Sequence, residues 1–155
     1  MAINVFRLDF WLNKVFDENL SKDPAINLKV CKQSDPDSVN LEFFKTANIY
    51  HIHAARDEVP PYWHVTEELL TKCPDLICVS TSGAGYDPVD VDACTKHGVL
   101  VVNQSGGNSD SVAEHTLSLM LDAKHRVTES DRVMRAHRCG AREDLMGNEI
   151  RGLTL

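Results

Sequence analysis

The sequence predicts an α/β fold built on a doubly wound parallel sheet. Short apolar runs alternate with stretches in which apolar residues recur at helical spacing, the order typical of parallel strands joined by right-handed crossover helices. Two of the runs, residues 76–79 and 99–102, are rich in β-branched residues, and each leads into a loop of glycine and hydroxylated residues. Buried parallel strands that end at a ligand-binding edge have this composition. No internal repeat or low-complexity segment is visible.

Five segments have the composition of strands. They are short, apolar and bounded by turn residues, and the second alternates Leu28 and Val30 with polar side chains. The predicted strands are, in chain order, residues 3–8, 27–31, 48–53, 76–79 and 99–102.

Helical spacing and helix-ending residues define four helices between these strands. In the first, Leu12, Phe16 and Leu20 share one face. Pro74 ends the third helix, and Gly98 suits the left-handed conformation that follows the fourth. The predicted helices are residues 11–20, 39–44, 62–73 and 89–97, with a Pro-Pro loop at residues 56–61.

A long helix is predicted from about residue 111 to about residue 136, because residues 108–139 contain neither glycine nor proline. Ser111 and Glu114 have the spacing of a capping box at its start. Such a helix is long for a small domain, so we expect it to lead out of the first domain. Two pairs of opposite charge one turn apart would stabilise it, namely Asp122 with Arg126 and Asp131 with Arg135.

The last nine residues, 147–155, have the composition of a loop that runs into an apolar strand near Leu153. A strand that begins there would have no crossover after it. We therefore expect the chain to be truncated, or its second domain not to be included.

The composition indicates a soluble globular protein with one domain, or one domain and part of a second: 155 residues, 43% hydrophobic and 25% charged. A net charge of -7 argues against non-specific binding to nucleic acid or to an anionic membrane surface. Charges interrupt the apolar residues of the N-terminus, which is neither a signal peptide nor a membrane span. An odd number of cysteines without C-x-x-C spacing favours reduced thiols in the cytoplasm; they are Cys31, Cys73, Cys78, Cys94 and Cys139.

Two glycine-bearing loops form the candidate binding site. Residues 80–85, Ser-Thr-Ser-Gly-Ala-Gly, follow the fourth predicted strand, and glycines there let backbone N–H groups converge on an anion. A tight turn without a ligand would have the same sequence, and Pro88 stands where a dinucleotide fingerprint needs its third glycine.

The second loop, residues 105–109, precedes the long helix, whose N-terminus favours an anion. Asn108 could orient a carboxylate or an amide, or it could only cap the helix. Because parallel strands end at one edge of a sheet, the two loops together predict a small anionic ligand of the carboxylate type.

Other polar clusters favour structural roles. Asp87, Asp90 and Asp92 lack the spacing of a calcium loop, so we expect turn formation and helix capping.

The histidines do not indicate a metal site. His51 and His53 share a strand face without further ligands at suitable spacing, although His53 could line the site. We expect His115 to be a helix-surface or hinge contact. A basic run interrupted by acids indicates a solvated or interdomain face; it comprises Lys124, Arg126, Arg132, Arg135 and Arg138.

Three motifs in residues 80–121 occur in a fixed order: G-x-G-x-D-x-V-D, H-G-V-x-V-x-N and N-S-x-S-V-A-E-H. This region resembles the signature of the NAD-dependent D-isomer-specific 2-hydroxyacid dehydrogenases, which include phosphoglycerate, D-lactate, glyoxylate/hydroxypyruvate and formate dehydrogenases. With the preceding strand-helix alternation, the resemblance covers essentially the whole chain. It implies a flavodoxin-like substrate domain at residues 1–102. Residues 103–155 would then be a hinge at Asn103, the long helix and the first strand of an NAD-binding domain that is otherwise absent.

The resemblance also implies roles for individual residues. The backbone amides of Ala84 and Gly85 would bind the carboxylate of a small 2-hydroxy or 2-keto acid, with Ser82 and Gly83 in the same loop. Asn108 would contact the substrate, as in the formate branch. The nicotinamide end of NAD, or of NADP, would lie near Ala84, Ser109 and Val112. The full-length enzyme would be a homodimer.

The family's dinucleotide fingerprint should follow a strand near Leu153, and its catalytic arginine, acidic residue and histidine should lie beyond Leu155. The helix that completes the family's first domain is also missing. No histidine of this chain is therefore expected to transfer a proton. We expect the 155-residue chain to be inactive and not to bind NAD tightly.

Two classes of non-catalytic protein remain as alternatives. A flavodoxin-like module would be a signalling receiver or an FMN carrier, but a receiver needs paired acids after the first strand, where only Asp9 stands. Residues 8–11 cannot form the phosphate loop of an FMN carrier. A corepressor or dimerisation module derived from the dehydrogenase family would bind a protein partner without turnover.

Overall fold

The computed structural model of the protein describes residues 2–137 and 141–154. It divides into two compact units, Met1–Gly107 and Asn108–Leu155. Among the described residues, no helix combines the length and hydropathy that a membrane span needs.

The first unit contains one sheet of five strands, and every neighbouring pair is parallel. The strand order is β2-β1-β3-β4-β5. The first strand therefore lies inside the sheet, with β2 on one side of it and β3, β4 and β5 on the other. This order is flavodoxin-like and confirms the predicted fold class. The strands are β1 Ile3–Leu8, β2 Ile26–Cys31, β3 Ile49–Ile52, β4 Cys78–Thr81 and β5 Leu100–Val102.

In the described residues, six α-helices follow or separate the strands. They are α1 Lys14–Leu20, α2 Asp37–Phe44, α3 Glu67–Leu70, α4 Val91–Lys96, α5 Ser109–His125 and α6 Val127–His137. Single turns of 3₁₀-helix occur at Arg56–Glu58, Pro61–Trp63 and Arg142–Leu145.

An aromatic cluster fills the core on one face of the sheet. Phe6, Phe44, Tyr50 and Trp63 are almost fully buried, with ring centroids 5.3–5.7 Å apart. Their polar atoms are satisfied, since the Tyr50 hydroxyl donates to the Trp63 carbonyl at 3.1 Å and the Trp63 indole donates to Asp37 at 2.7 Å. Burial of this kind is the main stabilising term of the fold.

Buried charge lies on the opposite face, where α1 packs. The Arg7 guanidinium binds both carboxylate oxygens of Asp17 and the carbonyl of Leu8. Beside it, the buried His51 ring stacks on Phe16 at 4.3 Å. Burial, with the nearby charge of Arg7, lowers the pKa of His51 to about 4, so the ring is neutral at pH 7.

The predicted helix at residues 62–73 is wrong, because only Glu67–Leu70 is α-helical. Val65 pairs with Val89 in a parallel bridge instead: its N–H donates to the Pro88 carbonyl, and its carbonyl accepts from Asp90, each at 2.8 Å. A residue whose backbone groups are used in this way cannot make helical hydrogen bonds.

The boundaries of other elements differ from the prediction as well, and the first helix and the fourth strand are shifted most. The first helix begins at Lys14, because Asn13 caps it by accepting from the Val15 N–H at 3.0 Å, and Trp11 lies outside the helix, highly exposed. The fourth strand is shifted to Cys78–Thr81, so the glycine loop begins at Ser82.

The predicted continuous helix over residues 111–136 is also wrong. Arg126 adopts a left-handed conformation, φ 55° and ψ 38°, and separates α5 from α6. The Asp122 carboxylate accepts from the N–H and hydroxyl of Thr128 at 2.7 and 2.6 Å, while Arg126 binds Glu129. The predicted Asp122–Arg126 pair is therefore not formed, because each residue has a partner beyond the break.

The predicted Asp131–Arg135 ion pair is confirmed at 2.8 Å. The start of the long helix was predicted incorrectly: α5 begins at Ser109 after Asn108, which makes no side-chain capping bond, so Ser111 and Glu114 lie inside the helix.

The strand predicted near Leu153 is not present in residues 147–154. Instead, the Asn148 N–H donates to the Lys124 carbonyl at 2.8 Å, and a Cβ at Gly147 would lie 2.5 Å from the His125 Cα. A strand needs a neighbouring strand for its backbone hydrogen bonds, and no described residue of the second unit supplies one.

Candidate functional site

Two loops meet at the carboxyl edge of the sheet in the first unit. The first loop follows β4 and the second loop follows β5. Given the observed ends of these strands, the name first loop denotes residues 82–87 and the name second loop denotes residues 103–107. The Gln104 N–H donates to the Gly83 carbonyl at 3.0 Å, and the Asn103 side-chain amide donates to the Ala84 carbonyl at 2.9 Å. These contacts place both loops at one edge of the sheet, but they are made by Asn103 and Gln104 and not by the predicted residues 105–109.

The orientation of the first loop follows from those two hydrogen bonds. In a trans peptide the carbonyl of one residue and the N–H of the next point in opposite directions. The Gly83 and Ala84 carbonyls both point to the second loop, so the N–H groups of Ala84 and Gly85 both point away from it. Within the described part of the chain, neither N–H donates to a backbone carbonyl, and both residues are exposed.

Glycine is needed where the first loop packs on the segment after β3. A Cβ at Gly83 would lie 3.1 Å from the Ala54 Cβ, and one at Gly85 would lie 3.4 Å from the Ala54 carbonyl oxygen. The Thr81 hydroxyl donates to the Gly83 carbonyl at 3.0 Å. These contacts fix the loop on its side facing the protein and leave the N–H side open.

Polar side chains from the segment after β3 also lie at this edge. The Arg56 guanidinium donates through Nε and Nη2 to the Asp87 carbonyl at 3.2 and 3.1 Å. His53 pairs with Glu58 at 2.8 Å, and its ring lies edge-on to Phe10 at 5.3 Å.

The residues named from sequence fall in both units. Ser82 and Gly83 are half-buried in the first loop, followed by the exposed Ala84 and Gly85. The other three lie at the start of α5 in the second unit and are exposed: Asn108, Ser109 and Val112.

The contacts of Ala54 and Arg56 with the first loop were not predicted from the sequence. A signal was present, because both follow the third predicted strand and parallel strands end at one edge. The carbonyl that Arg56 contacts could not be inferred, since it depends on the path of the first loop.

The acidic cluster formed by Asp87, Asp90 and Asp92 has the predicted structural role at one of its residues. Asp90 caps α4 by accepting from the Ala93 N–H at 2.9 Å. Within residues 2–137 and 141–154, no three His, Cys, Asp or Glu side chains form a group that could hold a metal ion.

His115 is exposed on α5, as expected of a helix-surface residue. Arg138, of the basic run, lies outside the described residues.

Four cysteines are free thiols: Cys31, Cys73, Cys78 and Cys94. Burial raises the pKa of Cys73 and of Cys94 to about 11, so neither is an activated nucleophile. Cys139 lies outside the described residues.

The first loop does not fit the pyrophosphate of a dinucleotide. Such a site places phosphate at a helix N-terminus directly after a glycine loop. Here α4 begins only at Val91, and the carboxylate of Asp90 occupies its N-terminal position. The loop between β4 and α4 therefore lacks the arrangement of a dinucleotide phosphate site.

Comparison with known proteins identifies one family. The D-isomer specific 2-hydroxyacid dehydrogenase catalytic domain matches residues 12–152. The D-3-phosphoglycerate dehydrogenase of Mycobacterium leprae is 45% identical over 91 residues, which are 59% of this chain and 17% of that protein. The glyoxylate reductase of Thermofilum pendens is 31% identical over 94 residues, 59% of this chain and 28% of its own.

Among solved structures, a D-lactate dehydrogenase of Aquifex aeolicus complexed with NAD and lactic acid superimposes with a TM-score of 0.74 at 27% identity. The match covers 94% of this chain and 41% of that chain. The NAD-dependent formate dehydrogenase of Staphylococcus aureus shares the fold, with a TM-score of 0.66 at 19% identity over 96% of this chain and 46% of its own. This chain thus spans less than half the length of the relatives and structures it matches.

The family match extends over nearly the whole chain, and the parallel sheet agrees with it. The chain belongs to the family of D-isomer specific 2-hydroxyacid dehydrogenases, within their catalytic domain.

Proposed function

We propose that this chain is the substrate-binding part of an oxidoreductase that transfers hydride between NAD(H) and a small D-2-hydroxy or 2-keto acid. The N–H groups of Ala84 and Gly85 bind the substrate's carboxylate. The observation that carries this proposal is the pair of hydrogen bonds from Gln104 and Asn103, which fix two consecutive carbonyls and turn the two N–H groups outward. Preorganised backbone donors bind an anion without the cost of reorienting the loop.

A fixed carboxylate contributes to the reaction by positioning. Holding one end of the acid limits where its hydroxyl or keto carbon can lie relative to the hydride donor. The residues of this chain bind and orient, and the cofactor supplies the hydride when it is bound. Ser82 and Gly83 support the first loop on the side that faces the protein.

Family membership supports three further assignments, at the start of α5. Asn108 contacts the substrate, and Ser109 and Val112, with Ala84, adjoin the nicotinamide end of the cofactor. We also propose that residues 1–102 are the substrate domain and residues 103–155 belong to the hinge and cofactor domain. The cofactor is NAD or NADP, and the full-length enzyme is a cytoplasmic homodimer. The chain of 155 residues contains no G-x-G-x-x-G fingerprint, so alone it is expected not to oxidise any 2-hydroxy acid.

Carboxylate binding can be tested on this chain by NMR. Titration of the ¹⁵N-labelled protein with D-lactate should shift the amide resonances of Ala84 and Gly85 more than others in the first unit. Lactamide, the neutral analogue, should not shift them. If D-lactate leaves both resonances unchanged at millimolar concentration, the proposed function is wrong.

The orienting hydrogen bond can be tested separately. Asn103→Ala removes the donor to the Ala84 carbonyl and should weaken D-lactate binding about fivefold, since a neutral hydrogen bond contributes about 1 kcal/mol. Gln104→Ala is the matched control, because Gln104 contacts Gly83 only through its backbone. Equal affinity of the Asn103→Ala and Gln104→Ala variants would contradict the proposed orientation.

A further inference from the structure

We propose that Arg56 is a positioning residue for the proposed carboxylate site: it holds the first loop in place and supplies positive charge beside the two N–H groups. The inference rests on the proposed function and assigns to Arg56 a role that the family signature does not contain.

The contact geometry supports the first part of the role. Two nitrogens of the guanidinium, Nε and Nη2, donate to the same acceptor, the Asp87 carbonyl. Asp87 lies two residues beyond Gly85. The Gly83 and Ala84 carbonyls, each of which precedes one of the two N–H groups in the chain, are held by the second loop. Arg56 holds the chain at Asp87, after both N–H groups.

The segment that carries Arg56 is itself held firmly. The Arg56 carbonyl accepts from the Val59 N–H at 3.4 Å and lies 3.2 Å from His64 Nε2. Ala54, two residues earlier, contacts both glycines of the first loop. A side chain anchored on such a segment can hold a loop, because its own backbone does not move freely.

The charge supports the second part of the role. Each ion pair found between described residues involves side chains other than Arg56. Its acceptor is a neutral carbonyl, so this contact does not pair the guanidinium with a carboxylate. Asp87 is two residues from Gly85, so the length of the chain allows at most roughly 15 Å between the guanidinium and the Gly85 N–H. This is less than a Debye length at low ionic strength and more than one at physiological ionic strength. A carboxylate at the N–H groups would therefore be attracted by Arg56.

Two variants separate the hydrogen bonds from the charge. Arg56→Ala removes both, and Arg56→Lys keeps the charge but loses the forked donor. Lys45→Ala is the matched control, because Lys45 is an exposed cation that follows α2 and pairs with Glu42. The probe is D-lactate, and its affinity is measured between 20 and 300 mM salt by NMR titration.

We expect Arg56→Ala to weaken D-lactate binding about three- to tenfold at low salt and to flatten the salt dependence, as loss of a partly screened charge requires. Arg56→Lys should retain the salt dependence, and Lys45→Ala should match the unmodified chain. If the unmodified chain binds D-lactate and Arg56→Ala binds it equally well with the same salt dependence, the inference is overturned. Equal weakening in both Arg56 variants with an unchanged salt dependence would also overturn it, because the charge would then have no role.

The hold on the loop can be measured without a ligand. Backbone ¹⁵N order parameters of residues 85–87 should fall in Arg56→Ala and not in Lys45→Ala. Unchanged values would refute the positioning role. If the unmodified chain fails to bind D-lactate, the proposed function fails, and the order parameters still decide whether Arg56 holds the loop.

Discussion

At the scale of single residues, buried polar groups have the largest consequences. His51 is almost fully buried on the sheet face opposite the aromatic core, and its Nε2 has no hydrogen-bond partner among the described residues. Its Nδ1 lies 3.3 Å from the Ser80 hydroxyl. The ionisable groups nearby are Arg7 and Asp17, together with His53, which follows the strand. Protonation of the ring would place a further positive charge beside Arg7 in a buried environment.

The depressed pKa of His51 predicts an acid-sensitive fold. Between pH 6.5 and about 4 the unfolded chain binds a proton at this residue and the folded chain does not. The free energy of unfolding should therefore fall by up to about 3 kcal/mol as the pH is lowered through this window. His51→Phe, which keeps a ring on Phe16, should remove this part of the pH dependence in urea unfolding curves.

His115→Phe is the control, because His115 is exposed on α5. A His51→Phe variant with the same pH dependence as the unmodified chain would show that another group is responsible.

At the scale of elements, caps and backbone pairing determine where helices begin and end. Asp90 caps α4, whereas the Val65–Val89 bridge shortens α3 and a left-handed residue divides α5 from α6. Apolar spacing alone could not predict the last two features, because Val65 pairs with Val89 and Arg126 also donates to the Asp144 carbonyl at 2.7 Å, and both partners are distant in sequence.

The cap can be tested within the acidic cluster. Asp90→Ala should lower the free energy of unfolding by about 1 kcal/mol, the usual cost of losing an N-cap side chain. Asp87→Ala should cost less, since Asp87 contributes its backbone carbonyl to Arg56 and not a capping carboxylate. Chemical denaturation followed by circular dichroism measures both. Equal losses would indicate that the acids act together and not through the cap.

At the scale of the molecule, the two units differ in what they bury. The first unit has a continuous core that includes Phe6, Tyr50 and Val79 on adjacent strands. In the second unit, α5 has no buried residue, and exposed apolar side chains include Val112, Leu117, Leu119 and Leu121. Free energies of local opening follow burial.

Hydrogen exchange should reveal this difference. Amides of β1, β3 and β4 should exchange only by global unfolding of the first unit, whereas those of α5 should exchange much faster. Mass spectrometry of peptic fragments measures both in one sample. Protection of α5 equal to that of β3 would show that its apolar side chains are covered in solution.

The sequence by itself determined the parallel α/β architecture, the approximate position of each strand and the two loops at one edge. These features depend on local composition and on the period of apolar residues, which act within a few positions of the chain. Only the tertiary structure decided the length of α3, the break at Arg126, and the contacts of Asn103 and Arg56 with the first loop. Each of these depends on a hydrogen bond whose partner is fixed by the path of the folded chain, and local composition does not encode that path.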